Sequence, residues 1–126
     1  MRMGYTALKV SEASRATLLA RFTPRFANVV CHHITLAFKV SEDTPLPAPK
    51  LIRVVGYATD DVGVECLVVE VDGCTARPSG GTFHVTLSLA EGRKPVESNK
   101  VLDSGFTLVT EPLTIEAPAE FIPFGK

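Results

Sequence analysis

Two tetrapeptides hold the side chains of this sequence best suited to acid–base chemistry: His33-Ile34-Thr35-Leu36 and His84-Val85-Thr86-Leu87. Each is a histidine, an aliphatic residue, a threonine and a leucine within an apolar, alternating run. Successive side chains of a β-strand point to opposite faces, so a His and a Thr two apart share one face. In the first run this pattern sets Cys31, His33, Thr35 and Ala37 on one face, and Ile34, Leu36 and Phe38 on the other. In the second, Thr82, His84, Thr86 and Ser88 share a face opposite Phe83, Val85, Leu87 and Leu89. Side by side, the two strands would offer two imidazoles and two hydroxyls to one cleft while their apolar faces make core.

Such a set suits a phosphodiester. Cleavage needs a base to deprotonate the attacking oxygen and an acid to protonate the leaving oxygen, and an imidazole with a free pKa near ~6.5 serves as either. Threonine hydroxyls can donate to the non-bridging oxygens, holding the phosphorus in line and stabilising the added charge. The histidines are His32, His33 and His84, with no HExxH, CxxC or tight carboxylate cluster beside them, so the expectation is chemistry without a metal or other cofactor. His32 should point away from His33 if the strand is regular, into the core or an interface. Tyr5 shares no face with the core side chains of its strand and is placed either to stack on a base or to pack at the cleft rim. Cys31 faces the cleft but has no third group to orient it as a thiolate.

The elements that must position these residues can be read from periodicity. Met3 to Val10 reads as a strand, followed by a helix from Glu12 to Phe22 with Ser11 as N-cap and a stripe of Ala13, Ala16, Leu19 and Ala20. Val29 to Val40 is the first motif strand, and the proline-rich stretch 41–49 is an extended connection. Strands are expected at Leu51 to Thr59 and Val62 to Val71, then a flexible loop through Arg77-Pro78-Ser79-Gly80-Gly81, then the second motif strand Thr82 to Ala90. A short helix over Glu97 to Leu102, an edge strand from Phe106 to Glu116 interrupted at Pro112, and a tail with an aromatic cluster at Phe121 and Phe124 complete the chain.

The chain's 126 residues make one domain, 1–126, with 45% hydrophobic and 21% charged residues, as in an ordinary soluble protein. No run is apolar enough for a membrane span, and the opening residues have no signal-peptide profile. With Cys31, Cys66 and Cys74 as an odd, unframed set, free thiols in a reducing cytoplasm are expected. Thirteen basic residues against 14 acidic ones give a net charge of −1. A gripper of duplex nucleic acid is usually basic, so a small nucleotide or an RNA end is the better-matched partner.

Paired H-x-T-x motifs with hydrophobic x positions resemble the signature of the 2H phosphoesterase superfamily. That group spans LigT-like RNA 2′-5′ ligases, cyclic phosphodiesterases and phage nucleases that destroy cyclic-oligonucleotide immune signals. The opening Gly4-Tyr5-Thr6-Ala7-Leu8-Lys9-Val10 and the segment Ser88 to Asn99 look like the smaller phage and RNA-repair-like members. The resemblance implies an α+β, two-lobed, pseudo-symmetric fold with antiparallel sheets around a central cleft, its second lobe trimmed for want of a helix before the second motif. It implies His33 and His84 as base and acid, in either order, and Thr35 and Thr86 as phosphate-holding residues. Tyr5, Ser88, Lys94 and Ser98 become substrate-binding candidates, Lys94 as the cation for a second phosphate. The activity implied is metal-independent hydrolysis of a cyclic nucleotide or cyclic oligonucleotide. Alternatives are a 2′,3′-cyclic phosphodiesterase or 2′-5′ ligase-like RNA enzyme, a non-catalytic nucleotide-binding module, or an interaction protein with an accidental repeat.

Overall fold

The computed structural model describes residues 2–125. Ten elements succeed one another along the chain: β1 (Met3–Lys9), α1 (Glu12–Arg21), β2 (Asn28–Val29), β3 (His33–Ser41), β4 (Ile52–Thr59), β5 (Val64–Val71), β6 (His84–Leu89), α2 (Glu97–Leu102), β7 (Thr107–Thr114) and β8 (Ala119–Pro123). The strands form one antiparallel sheet in the order β7-β4-β5-β6-β3-β1-β8, with β2 also paired to β6. The chain is therefore α+β. The two motif strands, β3 and β6, are neighbours at the middle of the sheet, joined by a single pair, Ile34 with Val85.

One face of the sheet carries the main core: Leu8, Ile34, Val54, Leu67, Val69, Val85 and Leu87, all buried. α1 closes over it. Its N-cap Ser11 accepts a hydrogen bond from the Ser14 amide at 3.1 Å, which satisfies one of the orphan donors of a helix start. The helix turns a different side inward from the alanine stripe that periodicity predicts. Leu18 is fully buried, Leu19 and Phe22 pack against the core, and Ala13, Ala16 and Ala20 are exposed. The larger apolar side chains gain more by leaving water, whereas alanine loses little by staying in it. Arg15, also on the inner side, donates to the Val30 carbonyl at 3.1 and 3.2 Å and pins the chain just before the first motif.

The second face is shared by α2, which packs across β4 and β5, and by an open cleft over β1, β3 and β6. No helix lies between β5 and β6 among the described residues. The tail, read as an aromatic cluster, is a strand: β8 pairs with β1 from Gly4–Pro123 to Leu8–Ala119. Its two phenylalanines part company, Phe121 lying near the Arg2 guanidinium and Phe124 against Tyr5 and Phe38. β7 is the opposite edge strand, paired with β4 at its two ends but not around Pro112, where the missing N–H cannot join the ladder.

Irregular pairing rather than simple alternation decides what each motif strand presents. The expected continuous strand Val29 to Val40 is interrupted. Val30 and Cys31 amides donate to the carbonyls of Leu87 and Thr86, Cys31 takes φ +46°, and pairing with β6 resumes at Ile34–Val85. Three steps on this strand thus match one on β6, and His32 and His33 bulge out. Cys31 consequently drops into the core instead of facing the cleft. His32 is exposed rather than in a core or interface, because the alternation that would have turned it inward is broken here.

Both motif leucines are themselves extra residues. On β3 the register passes from Ala7–Thr35 to Thr6–Ala37, leaving Leu36 unmatched. On β6 it passes from Cys66–Thr86 to Glu65–Ser88, leaving Leu87 unmatched. A bulge reverses the facing of the residues beyond it, so Ala37 and Ser88 leave the cleft face. The Leu36 bulge also brings Phe38 to the side of Tyr5, its cross-strand partner, and a second one follows at Lys39, with φ +59°.

Candidate functional site

The cleft, about 550 Å³, is lined by all four motif side chains, His33 and Thr35 from β3 and His84 and Thr86 from β6. They converge because Ile34 and Val85, the one pair joining β3 to β6, both point into the core, which sends their neighbours to the opposite face. By the same register Thr35 falls beside His84. Tyr5 and Phe38 form one wall, Pro95, Val96 and Asn99 the α2 side, and Arg77 and Ser79 the end where the loop is bonded to Thr35 and Leu36 of the first motif. None of the lining residues is acidic.

The two imidazoles are held differently. His84 is buried, and its Nδ1 lies 2.8 Å from the Thr82 carbonyl. A carbonyl only accepts, so Nδ1 carries the proton and Nε2 keeps its lone pair when the ring is neutral. His33 is half-buried, with its Nδ1 3.0 Å from the Nδ1 of exposed His32. One of those nitrogens must donate and the other accept, so the His33 tautomer is tied to that of His32. The Tyr5 ring lies against His33 at a centroid distance of 5.5 Å. Burial lowers the pKa of His33, the nearby His32 and His84 lower it further, and Glu120 pulls it back. Burial also lowers His84; the Thr82 carbonyl opposes this and the Arg77 charge adds to it. Both rings thus favour the neutral form at pH 7.

The threonines also differ. Thr86 is buried, and its Oγ1 is 2.9 Å from Ser98 Oγ and 3.4 Å from the Pro95 carbonyl. Ser98, fully buried on α2, therefore stands behind Thr86 and holds its hydroxyl rather than lining the cleft. Thr35 keeps its side chain in the cleft while its carbonyl accepts from Arg77 Nη1 at 3.3 Å.

Two further expected ligand contacts, besides Ser98, lie elsewhere. Ser88, turned over by the Leu87 bulge, is buried on the core face, where its hydroxyl donates to Glu65 and accepts from the Phe26 amide. Glu65 also accepts from Tyr57 Oη and the Arg25 amide, both at 2.6 Å, so this buried carboxylate is satisfied by structure. Lys94 is exposed and outside the cleft; its amide donates to Glu97 at the start of α2. The Cys31 thiol, pushed up to about 11 by burial, is no nucleophile.

Sequence reasoning missed Arg77. The loop expected to be flexible is a closed turn in which the Arg77 amide donates to Gly81 O, the Gly80 amide to Arg77 O, and Ser79 Oγ to Leu36 O. This turn folds the guanidinium inward over the cleft. The available signal was a lone arginine five residues before Thr82, in a glycine-bounded loop that enters the motif strand. Tyr5, Phe38 and Phe124 form an aromatic group with centroids 5.0–6.1 Å apart, and Phe38 stays 61% exposed. Among the described residues no group of three or more His, Cys, Asp or Glu side chains is close enough to hold a metal ion, and no helix is long and apolar enough to cross a membrane. No family model, curated protein or solved structure matches this chain.

Proposed function

We propose that this chain is a phosphodiesterase that hydrolyses a cyclic nucleotide or cyclic oligonucleotide without a metal, with the 2H phosphoesterases as its relatives. The observation that carries the reading is the convergence of His33, Thr35, His84 and Thr86 from two strands on one cleft free of carboxylates. An anionic phosphodiester meets no like charge there. One imidazole, neutral, takes the proton from the attacking oxygen; the other, protonated, delivers one to the leaving oxygen. Thr86, steadied by Ser98, and Thr35 donate to the non-bridging oxygens as charge develops. The exposed Phe38 beside Tyr5 suits stacking of a base, which is sequence-tolerant because every base has a π-face.

The two-lobed reading of the fold rests on the placing of β3 and β6. Each motif strand lies at the sheet centre, each bulges at its motif leucine, and only one residue pair joins them. Strands β1 and β8 then belong to one lobe and β5, β4 and β7 to the other. Incubation with cyclic dinucleotides, cyclic trinucleotides and 2′,3′-cyclic mononucleotides in EDTA, with chromatography of the products, tests the proposal. Linear or ring-opened products from at least one class are expected. Intact substrates throughout, with saturable binding of one of them, would replace the enzyme with a nucleotide-binding module.

A further inference from the structure

We infer that Arg77 is the anion-binding residue of the cleft and takes a phosphate group on its two free N–H donors. The identity of the anion rests on the phosphodiesterase reading; the binding itself rests on the geometry. A guanidinium has five N–H donors. Arg77 spends three of them within the protein: Nε to the Gly80 carbonyl at 2.7 Å, Nη1 to the Thr35 carbonyl at 3.3 Å, and Nη2 to Asn99 Oδ1 at 3.3 Å. One donor on each terminal nitrogen remains for a ligand in the cleft that Arg77 lines. A planar fork with one N–H per nitrogen matches two oxygens of a phosphate.

The charge is equally uncommitted. Arg2, Arg25, Arg53 and Arg93 each pair with a carboxylate, whereas Arg77 has no such pair among the described residues. Its three acceptors are neutral and no acidic residue lines the cleft. A half-buried cation without a counter-ion is costly, and an anion arriving in the cleft removes that cost.

The surroundings fix the fork without covering it. Asn99 is oriented by a second bond, Nδ2 to the Val96 carbonyl at 3.1 Å, so its Oδ1 stays turned to Arg77. Gly81 has φ +81°, and a Cβ there would lie 3.1 Å from Nη2; a side chain at this position would crowd the guanidinium. Thr35 ties the fork to the motif set. Its carbonyl accepts from Arg77 while its hydroxyl lines the same cleft, so an oxygen bound by the fork lies next to the motif residues. Arg77 thus takes the part that the sequence assigned to Lys94.

Titration of the 15N-labelled protein with inorganic phosphate tests the inference. The Arg77 Nε–H, held by Gly80, gives its own resonance in a 1H–15N spectrum. It should shift saturably, together with the amides of Thr35 and Asn99. Arg77→Lys should weaken phosphate at least 10-fold and Arg77→Met should abolish the shifts, with a folded spectrum in each case. Unchanged phosphate affinity in Arg77→Met, or shifts confined to residues outside the cleft, would overturn the proposal. Should the variants unfold, the wild-type titration decides it, since an Arg77 Nε–H that does not move at saturating phosphate refutes the site. Failure of the phosphodiesterase reading looks different: no cyclic substrate is opened, yet phosphate still moves Arg77.

Discussion

Thr86 and Ser98 form the one side-chain hydrogen-bonded pair that joins α2 to a motif strand among the described residues, so replacing them tests structure and chemistry together. Thr86→Val keeps the shape and strand preference and deletes only the hydroxyl. Ser98, fully buried, then loses its partner at 2.9 Å. An orphaned buried hydroxyl costs about 1–3 kcal/mol. The neighbouring Cys66 thiol, which Ser98 also meets, is a weak substitute and sets the expectation at the low end, about 1 kcal/mol. For a chain of this length that lowers Tm by roughly 4 °C. Ser98→Ala removes the same bond from Thr86 and leaves the Pro95 carbonyl at 3.4 Å as the one partner of its hydroxyl. Thr86 then turns its proton toward Pro95 and away from the cleft. The two losses should not add, because removing both partners is close to neutral: a coupling of about 1 kcal/mol is expected in urea unfolding of the four proteins. Turnover should fall roughly 10-fold to 10³-fold in Thr86→Val, with KM little changed because the bond strengthens in the transition state. Ser98→Ala should lower kcat by less. Additive stabilities would show that the hydroxyls do not depend on each other, and parental kcat in Thr86→Val would reduce Thr86 to a strand former.

Other expectations concern the imidazoles. Burial lowers His33 and His84 below the ordinary value, so the unfolded chain binds their protons more readily. Stability should hold above about pH 6.5 and decline as pH falls from there through the lowered folded values; urea unfolding at pH 7.5 and 5.5 checks the sign, and a protein more stable at pH 5.5 contradicts it. His32→Gln should leave the protein folded but raise the His33 pKa, since His32 is one of the groups holding it down. NMR titration of the ring carbon protons should show that rise, and an unmoved His33 would mean that the 3.0 Å contact has no influence on its proton.

The motif faces are legible in the sequence because alternation survives over His33–Thr35 and His84–Thr86, the short stretches between irregularities. Alternation misplaces Ser88, Ala37 and Cys31 for one shared reason. Each is separated from its motif by an irregularity in pairing, and a shifted pairing leaves no mark in hydrophobic period. The same Leu36 shift carries Phe38 from the expected core face into the cleft. An α1 stripe drawn through small residues leaves out Leu18, because size decides burial. β8 is hidden because Pro118 and Pro123 bracket a run with little alternation. Arg77 escapes a sequence reading because its role depends on the turn at Gly80–Gly81 closing back on it, a tertiary fact.

The central claim, that His33 and His84 divide the acid and base roles on one phosphodiester, is tested most directly by pH–rate profiles of kcat/KM. They should be recorded in EDTA for the parent, His33→Ala and His84→Ala. The parent should give a bell, and each variant should lose on the order of 10²–10⁴ in rate while the residual activity keeps only one limb, a different limb in each. Two variants that lose the same limb, or that both retain the full bell, would contradict the account.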